Sequence, residues 1–197
     1  MEVIKAERYP YGDMTRYLFI YFEKEDKSLS SYFLNLNRGK KSICVNLRTD
    51  KGREIIYKLI EKCDVIIENF QVGGNEEAWL RLRNCEESKS QNRLLLHNTF
   101  GQHGSYSSFP EYDLLVQTLS GYIWRQADSS IATTSIGDTF AGTHAALAIV
   151  PSLLKREKTG EGEYIDISMS DCLLHSYENI LAGLLLLKSF TEKEGKL

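Results

Sequence analysis

One carboxylate in this sequence stands where a nucleophile could work, beside a glycine at the mouth of a long apolar segment. Asp138 follows Gly137 and precedes a helical pattern that runs from Thr139 to Lys158. A helix N-terminus offers unpaired backbone N–H groups and the positive end of the helix dipole, so we expect Asp138 to be held ionised. Gly137 has no side chain and would leave room for a ligand. The pattern alone leaves two interpretations of Asp138, a nucleophile and an ordinary helix N-cap.

A second acidic residue, Asp113, follows Tyr112 at the predicted start of another helix. A carboxylate in this position can orient groups around a nucleophile, and it can equally be a plain helix-start residue. Asp171 and His175 stand four residues apart on the predicted final helix. A surface or capping pair explains them better than an acid–base pair does.

The elements that must position these residues alternate between strands and helices. Strands are predicted for residues 3–6, 42–47, 64–68, 94–97 and 164–168, and helices for residues 30–37, 112–122, 139–158 and 171–188 and from residue 49 onward. Residues 9–30 are predicted to form a loop with little regular structure. This alternation predicts a parallel sheet covered by helices, with ligands at the carboxyl ends of its strands. Pro151 is expected to kink the longest helix.

Composition narrows the class of protein. A net charge of −3 over 197 residues gives no reason to expect nucleic acid or an anionic membrane as a partner. No apolar run approaches the ~20 residues that cross a bilayer. The first residues lack the apolar core of a signal peptide, and the four cysteines are scattered without metal-ligand spacing. We therefore expect a cytoplasmic globular protein with reduced thiols and no bound metal.

Several short motifs follow one another along the chain. They are Val3–Arg8, Asn35–Ile43, Asp64–Phe70, Phe100–Gln102, Tyr112–Gln117, Gly137–Asp138 and Glu157–Gly160. In this order the motifs closely resemble those of the family III CoA-transferases. The resemblance implies an α/β fold with a Rossmann-like parallel sheet flanked by helices, incomplete relative to the family. It also implies that residues 1–197 are a partial large, CoA-binding domain that lacks the first strand and the small C-terminal domain.

The activity that the resemblance implies is transfer of coenzyme A from an acyl-CoA thioester to a free carboxylic acid. Asp138 matches the family nucleophile, which forms a mixed anhydride and then an aspartyl-CoA thioester. Such a site must exclude water, because water would hydrolyse the anhydride. The acyl-CoA is then a substrate and no bound cofactor is needed. The resemblance also implies a homodimer, which is interlocked in the family.

The same resemblance assigns side chains to the substrate. The residues that match CoA-binding positions are Arg8, Val45, Arg48, Asn69, Phe70, Gln71 and Tyr112. Arg8 and Arg48 supply positive charge suited to phosphate groups. A strand-terminating Asn beside a core Phe would explain Asn69 and Phe70 about as well. Asp113 completes a predicted catalytic pair with Asp138.

Three alternatives stay open. The chain could be a truncated, non-catalytic remnant or subunit of the same family. It could belong to the branch that racemises 2-methylacyl-CoA, but that branch carries a His where Tyr112 stands, and a tyrosine hydroxyl is a poor base at neutral pH. A generic dinucleotide-binding domain is disfavoured because no Gly-x-Gly-x-x-Gly follows a strand.

Overall fold

The chain folds as two units, an N-terminal unit of Met1–Lys62 and a C-terminal unit of Cys63–Leu197. The computed structural model describes residues 2–18, 21–24, 27–69, 93–98, 100–107, 109, 112–125, 132, 134–177, 182–183 and 185–186.

The N-terminal unit contains one parallel strand pair and one hairpin. Its elements are β1 (Ile4–Arg8), a 3-10 turn (Met14–Tyr17), β2 (Tyr21–Lys24), β3 (Lys27–Ser30), α1 (Ser31–Leu36), β4 (Lys41–Val45) and α2 (Asp50–Ile60). β1 and β4 pair in parallel, whereas β2 and β3 pair antiparallel. The expectation of a structureless loop over residues 9–30 is therefore wrong. The sequence between β2 and β3 has no Gly or Asn turn signal, so the hairpin leaves little trace in the pattern.

A buried carboxylate joins β1 to the turn that follows it. Glu7 is 6% exposed and accepts hydrogen bonds from Nε and Nη2 of Arg16 at 2.8 and 2.7 Å. The backbone N of Asp13 donates to it at 2.9 Å and Oγ of Ser42, in β4, at 2.8 Å. The bond from Arg16 leads the causes that lower the pKa of Glu7 to about 2. The Arg16 guanidinium also lies 4.0 Å from the ring centre of Phe33 in α1.

The start of α2 confirms the helix predicted from residue 49. Oγ1 of Thr49 accepts a hydrogen bond from the backbone N of Gly52 at 3.1 Å, which caps the helix. A Cβ on Gly52 would stand 2.0 Å from the carbonyl oxygen of Asn46. Only a glycine fits this approach, and Ile56 and Ile60 then bury the apolar face of the helix.

The described part of the C-terminal unit is built on three parallel strands. Its elements are β5 (Val65–Glu68), β6 (Arg93–Asn98), α3 (Asp113–Leu119), α4 (Tyr122–Arg125), α5 (Ile136–Thr159), β7 (Tyr164–Ser168) and α6 (Met169–His175). β6 lies in the middle and pairs in parallel with β5 and β7. The predicted α/β fold of parallel strands flanked by helices is confirmed.

The apolar core of this unit lies where three helices meet. Its buried residues come from α3, α5, α6 and the turn after α6, and they are Val116, Ala141, Met169, Cys172, Leu173 and Tyr177. Cys172 packs in this core as a small apolar side chain, and burial and then the charge of Asp171 raise the pKa of its thiol.

The helix boundaries differ from prediction in three places. α3 ends at Leu119 and not at residue 122, since Gly121 follows with a φ of +79°. α5 begins at Ile136 and not at residue 139, and it continues through Pro151 with the loss of one backbone hydrogen bond. α6 begins at Met169, two residues before the predicted start, and ends at His175. Residues 182–183 and 185–186 of the predicted final helix are also helical, and its other residues beyond 177 lie outside the described ones.

Candidate active site

Asp138 lies inside the first turn of α5. The helix begins at Ile136, so Asp138 is its third residue, and Ser135 holds the N-cap position. The interpretation of Asp138 as an N-cap is therefore wrong. Ser135 makes no side-chain capping bond to the backbone, so the amides of this turn need another acceptor.

That acceptor is Asp113, the first residue of α3. Its Oδ1 accepts hydrogen bonds from the backbone N of Gly137 at 2.7 Å and of Asp138 at 3.3 Å. The positive end of α5 is thus matched by the carboxylate of Asp113. The expectation that these amides hold Asp138 itself ionised is wrong.

Asp138 has a different environment, although the two residues are neighbours. The residue is exposed to solvent, yet the pKa of its carboxyl is raised, first by burial of the carboxyl and then by the negative charge of Asp113. A hydrogen bond with Ser135 acts in the opposite direction and lowers the pKa. Burial and a neighbouring negative charge both disfavour the ionised form of a carboxyl group. The surroundings of Asp138 therefore make its carboxylate more basic than that of an ordinary aspartate.

Gly137 is needed for close packing at this point. It is buried, and a Cβ on it would stand 2.9 Å from Oδ1 of Asp113, 3.4 Å from Cγ1 of Val116 and 3.5 Å from Cε of Met169. The space beside this glycine is occupied by α3 and α6. The expectation that Gly137 leaves room for a ligand is therefore wrong, since its role is to let three helices approach.

A further polar residue, absent from the predicted set, completes the arrangement. Gln117 is 1% exposed, and its Nε2 donates to Oδ2 of Asp113 at 2.6 Å. Its Oε1 accepts a hydrogen bond from the backbone N of Ala132 at 3.0 Å. The spacing of Asp113 and Gln117, four residues apart on one helix, is the sequence signal that could have identified the pair.

In the N-terminal unit, the predicted CoA-binding residues gather at one end of the strand pair. Arg8 and Val45 are opposite each other in the last register position of β1 and β4, and Arg48 follows three residues after Val45. Both arginines are exposed, while Val45 is 6% exposed. This is the carboxyl end of two parallel strands, where α/β folds bind ligands.

In the C-terminal unit, two predicted CoA-binding residues are exposed next to element ends. Asn69 directly follows β5, and Tyr112 directly precedes α3 with 70% of its surface exposed. Phe70 and Gln71 lie outside the described residues. Asp171 lies in the first turn of α6, where its backbone N donates to Oγ of Ser168 at 3.2 Å, so that Ser168 is the N-cap of this helix.

The described residues contain neither a candidate membrane span nor a candidate metal cluster. No helix among them has the length and apolarity of a membrane span. Within the same residues, His, Cys, Asp and Glu side chains form no group of three or more that could hold a metal ion.

Comparisons with known proteins support the predicted family. The model of CoA-transferase family III matches residues 2–196. An acetyl-CoA:oxalate CoA-transferase from Acetobacter aceti is 34% identical over 186 residues, which cover 90% of this chain and 46% of that protein. A succinyl-CoA:mesaconate CoA-transferase from Haloarcula marismortui is 31% identical over 187 residues, or 88% of this chain and 46% of that protein.

Solved structures give the same result. A CAIB/BAIF family protein from Brucella suis has a TM-score of 0.87 to this chain at 30% identity, covering 94% of this chain and 50% of that one. The chain thus spans about half the length of the relatives it matches. The chain belongs to CoA-transferase family III.

Proposed function

We propose that this protein transfers coenzyme A from an acyl-CoA thioester to a free carboxylic acid, with Asp138 as the nucleophile. The observation that carries the proposal is the contrast between two carboxylates. Asp113 accepts both backbone amides at the start of α5, whereas Asp138 is exposed and has a raised pKa. Asp113 acts as a positioning residue, and Asp138 is left available for attack.

The reaction proceeds by exchange of acyl groups at Asp138. A carboxylate oxygen of Asp138 attacks the thioester carbonyl carbon, and the C–S bond breaks to release the CoA thiolate and leave a mixed anhydride. The thiolate then attacks the aspartyl carbonyl of that anhydride, which releases the first acid and leaves an aspartyl-CoA thioester. The acceptor acid reverses these steps and leaves as its CoA thioester. Charge and atoms balance without an added oxidant or reductant.

The amides of Gly137 and Asp138 take no part in stabilising the oxyanion of this reaction. Both are already hydrogen-bonded to Oδ1 of Asp113. An oxyanion donor must be free to point at the developing charge. The donors in this protein are therefore other groups.

The proposed substrates follow from the predicted binding residues and from the relatives. Arg8 and Arg48 bind the phosphates of CoA, and Val45, Asn69, Phe70, Gln71 and Tyr112 complete the CoA contacts. The relatives named above act on oxalate and mesaconate, so a small dicarboxylic acid is the first acceptor to try. We further propose that the working protein is a homodimer in the cytoplasm.

The test is transfer itself, followed by identification of the modified residue. The purified protein is incubated with acetyl-CoA or succinyl-CoA and with oxalate or mesaconate, and CoA exchange is followed by chromatography. Hydroxylamine then converts the acylated carboxylate to a hydroxamate, which peptide mass spectrometry locates. We expect the label on Asp138 and no exchange in Asp138→Asn.

Asp171→Asn is the matched control, because Asp171 is the third residue of α6 as Asp138 is of α5. We expect this variant to keep full exchange. A hydroxamate on another residue, or exchange that survives in Asp138→Asn, would refute the proposed nucleophile. A wild-type protein that shows no exchange with any pair would refute the activity.

A further inference from the structure

Gln117 is a buried polar residue that the predicted site does not include. We infer that Gln117 is a positioning residue for acyl transfer: it fixes the carboxylate of Asp113, which in turn fixes the first turn of α5 and the Asp138 side chain on it. The inference rests on the proposed function, since it gives Gln117 a part in the same site.

The contacts of Gln117 form a chain of three hydrogen bonds across separate segments. Its Nε2 donates to Oδ2 of Asp113 at 2.6 Å, and the other oxygen of Asp113 accepts the amide of Gly137 at 2.7 Å. Its Oε1 accepts the backbone amide of Ala132 at 3.0 Å. One glutamine therefore links α3 both to the start of α5 and to the segment before it. Both ends of the Gln117 amide are used.

Burial makes this chain rigid. Gln117 is 1% exposed, and its neighbour Val116 is fully buried in the core of the unit. A buried donor without a partner is strongly unfavourable, so the amide of Gln117 is held to its two contacts. The carboxylate of Asp113 cannot turn away from the α5 amides without giving up the donor of Gln117.

Filling of space does not by itself require a glutamine here. A methionine of similar volume would occupy the same pocket with no buried amide to satisfy. What methionine lacks is a donor for Oδ2 of Asp113 and an acceptor for the amide of Ala132. The choice of residue is therefore explained by the hold on Asp113.

The first test compares Gln117→Met with Gln117→Glu. Without a donor at Oδ2, Asp113 is free to shift, and Asp138 shifts with the turn of α5. A misplacement of about 1 Å costs up to about 100-fold in rate. We expect kcat for CoA transfer to fall about 10-fold to 100-fold in Gln117→Met, with KM for the acyl-CoA unchanged.

Gln117→Glu distinguishes positioning from mere packing. A protonated glutamic acid can donate to Asp113 and accept from Ala132, whereas its carboxylate repels Asp113. We expect kcat of Gln117→Glu to recover relative to Gln117→Met as pH is lowered from about 8 to about 6. Equal pH profiles for the two variants would overturn the inference.

Thr118→Val is the matched control on the same helix. Thr118 is exposed, and its Oγ1 donates within the helix to the carbonyl oxygen of Leu114 at 2.8 Å. We expect wild-type kcat and KM from this variant. Far-UV circular dichroism and thermal melts check that all three variants fold.

A second readout needs no activity at all. Hydrogen exchange followed by mass spectrometry measures protection of the amides of Gly137 and Asp138 in the wild type and in each variant. We expect the exchange of these amides to be at least about tenfold faster in Gln117→Met and unchanged in Thr118→Val. Unchanged exchange in Gln117→Met would overturn the inference. The wild type could show no CoA transfer while these amides still exchange faster in Gln117→Met. That outcome would support the role of Gln117 in fixing Asp113 and would refute only the proposed function.

Discussion

Asp113 and Asp138 are two carboxylates of one site with opposite relations to the helix beside them. Asp113 accepts hydrogen bonds from the two backbone amides at the start of α5, although it belongs to another helix. Asp138 belongs to α5, yet burial and the charge of Asp113 raise the pKa of its carboxyl. Carboxylates with contrasting surroundings are typical of sites that divide chemical roles. Here one carboxylate holds the backbone of the first turn of α5, and the other is the proposed nucleophile.

The raised pKa of Asp138 predicts a stability cost that can be measured. The folded-state pKa lies above the ordinary value of 3.8, so ionising this carboxyl is less favourable in the folded chain than in the unfolded one. That cost is present at pH above the folded-state pKa and disappears below 3.8. We expect Asp138→Asn to have a higher thermal midpoint than the wild type near pH 7, with the difference vanishing as pH falls through this window.

The control for this experiment is Asp171→Asn. Asp171 supplies a favourable negative charge to the first turn of α6, so its loss should lower the thermal midpoint near neutral pH. If Asp138→Asn lowered the midpoint in the same way, Asp138 would be an ordinary helix-start carboxylate. Thermal denaturation by circular dichroism over a series of pH values distinguishes the two outcomes.

Gly137 offers a second prediction at the scale of single residues. A Cβ here would stand 2.9 Å from an oxygen of Asp113 that is held by hydrogen bonds. We expect Gly137→Ala to push Asp113 away from the α5 amides, to lower stability by about 1–3 kcal/mol as in other overpacked sites, and to lower kcat. Urea denaturation and steady-state kinetics measure the two effects.

Gly142 provides the comparison for Gly137. It lies on the same helix, it is exposed, and a Cβ on it would meet nothing within 4 Å. Alanine is preferred to glycine in helices by about 1 kcal/mol, so Gly142→Ala should be slightly stabilising and fully active. A loss in Gly142→Ala as large as that in Gly137→Ala would contradict crowding at Asp113 as the cause.

At the scale of elements, apolar periodicity predicts the parallel strands but not the β2–β3 hairpin, and it places the starts of α1, α2 and α3 within one residue but not the start of α5. The alternation over Tyr164–Ser168 gave the bounds of β7, and Gly160 marked the end of α5. The start of α5 was missed by three residues because its capping partner, Asp113, is 24 residues away in sequence. The hydrogen bonds from the amides of Gly137 and Asp138 to Asp113 could not be predicted for the same reason, because no local sequence pattern records a contact between α3 and α5.

The hydrogen bonds of Glu7 with Arg16, Asp13 and Ser42 predict how the stability of the N-terminal unit depends on pH. The pKa of Glu7 is lowered from 4.5 to about 2, so its carboxylate stabilises the folded state at pH above 4.5. That stability is lost as pH falls from 4.5 to about 2. We expect Glu7→Gln to lower the unfolding free energy by about 2–3 kcal/mol at neutral pH, because the Arg16 guanidinium loses its charged partner.

The control for Glu7 is Glu54→Gln. Glu54 is an exposed carboxylate on α2 that pairs with Lys58 at 2.7 Å, and exposed pairs of this kind contribute little. Urea denaturation between about pH 7 and pH 3 should show that Glu7→Gln lowers the unfolding free energy, and that this difference from the wild type becomes smaller at acid pH. A loss for Glu7→Gln no larger than that for Glu54→Gln would contradict the importance of the buried network.

At the scale of the whole molecule, the predicted roles differ between the two units. The predicted CoA-binding residues Arg8 and Arg48 belong to the N-terminal unit, whereas Asp113, Gln117 and Asp138 belong to the C-terminal unit. Under the proposed function, binding of phosphates and attack on the thioester would depend on separate sets of side chains. Substitutions in the two units should change different kinetic constants.

This division gives a prediction for Arg48. The side chain is exposed at the carboxyl end of the β1–β4 pair, and a charge-assisted hydrogen bond to phosphate contributes about 1.5–3 kcal/mol. We expect Arg48→Ala to raise KM for the acyl-CoA at least about tenfold. This rise in KM should be larger at low salt than at high salt, because mobile ions screen the contact between Arg48 and phosphate. The kcat should change little, since phosphate binding is the same in the ground state and the transition state.

Lys58→Ala is the control for Arg48→Ala. It removes an exposed cation of the same unit that already pairs with Glu54, so it should leave KM for the acyl-CoA unchanged. An unaltered KM in Arg48→Ala, or an equal rise in Lys58→Ala, would remove Arg48 from the CoA-binding set.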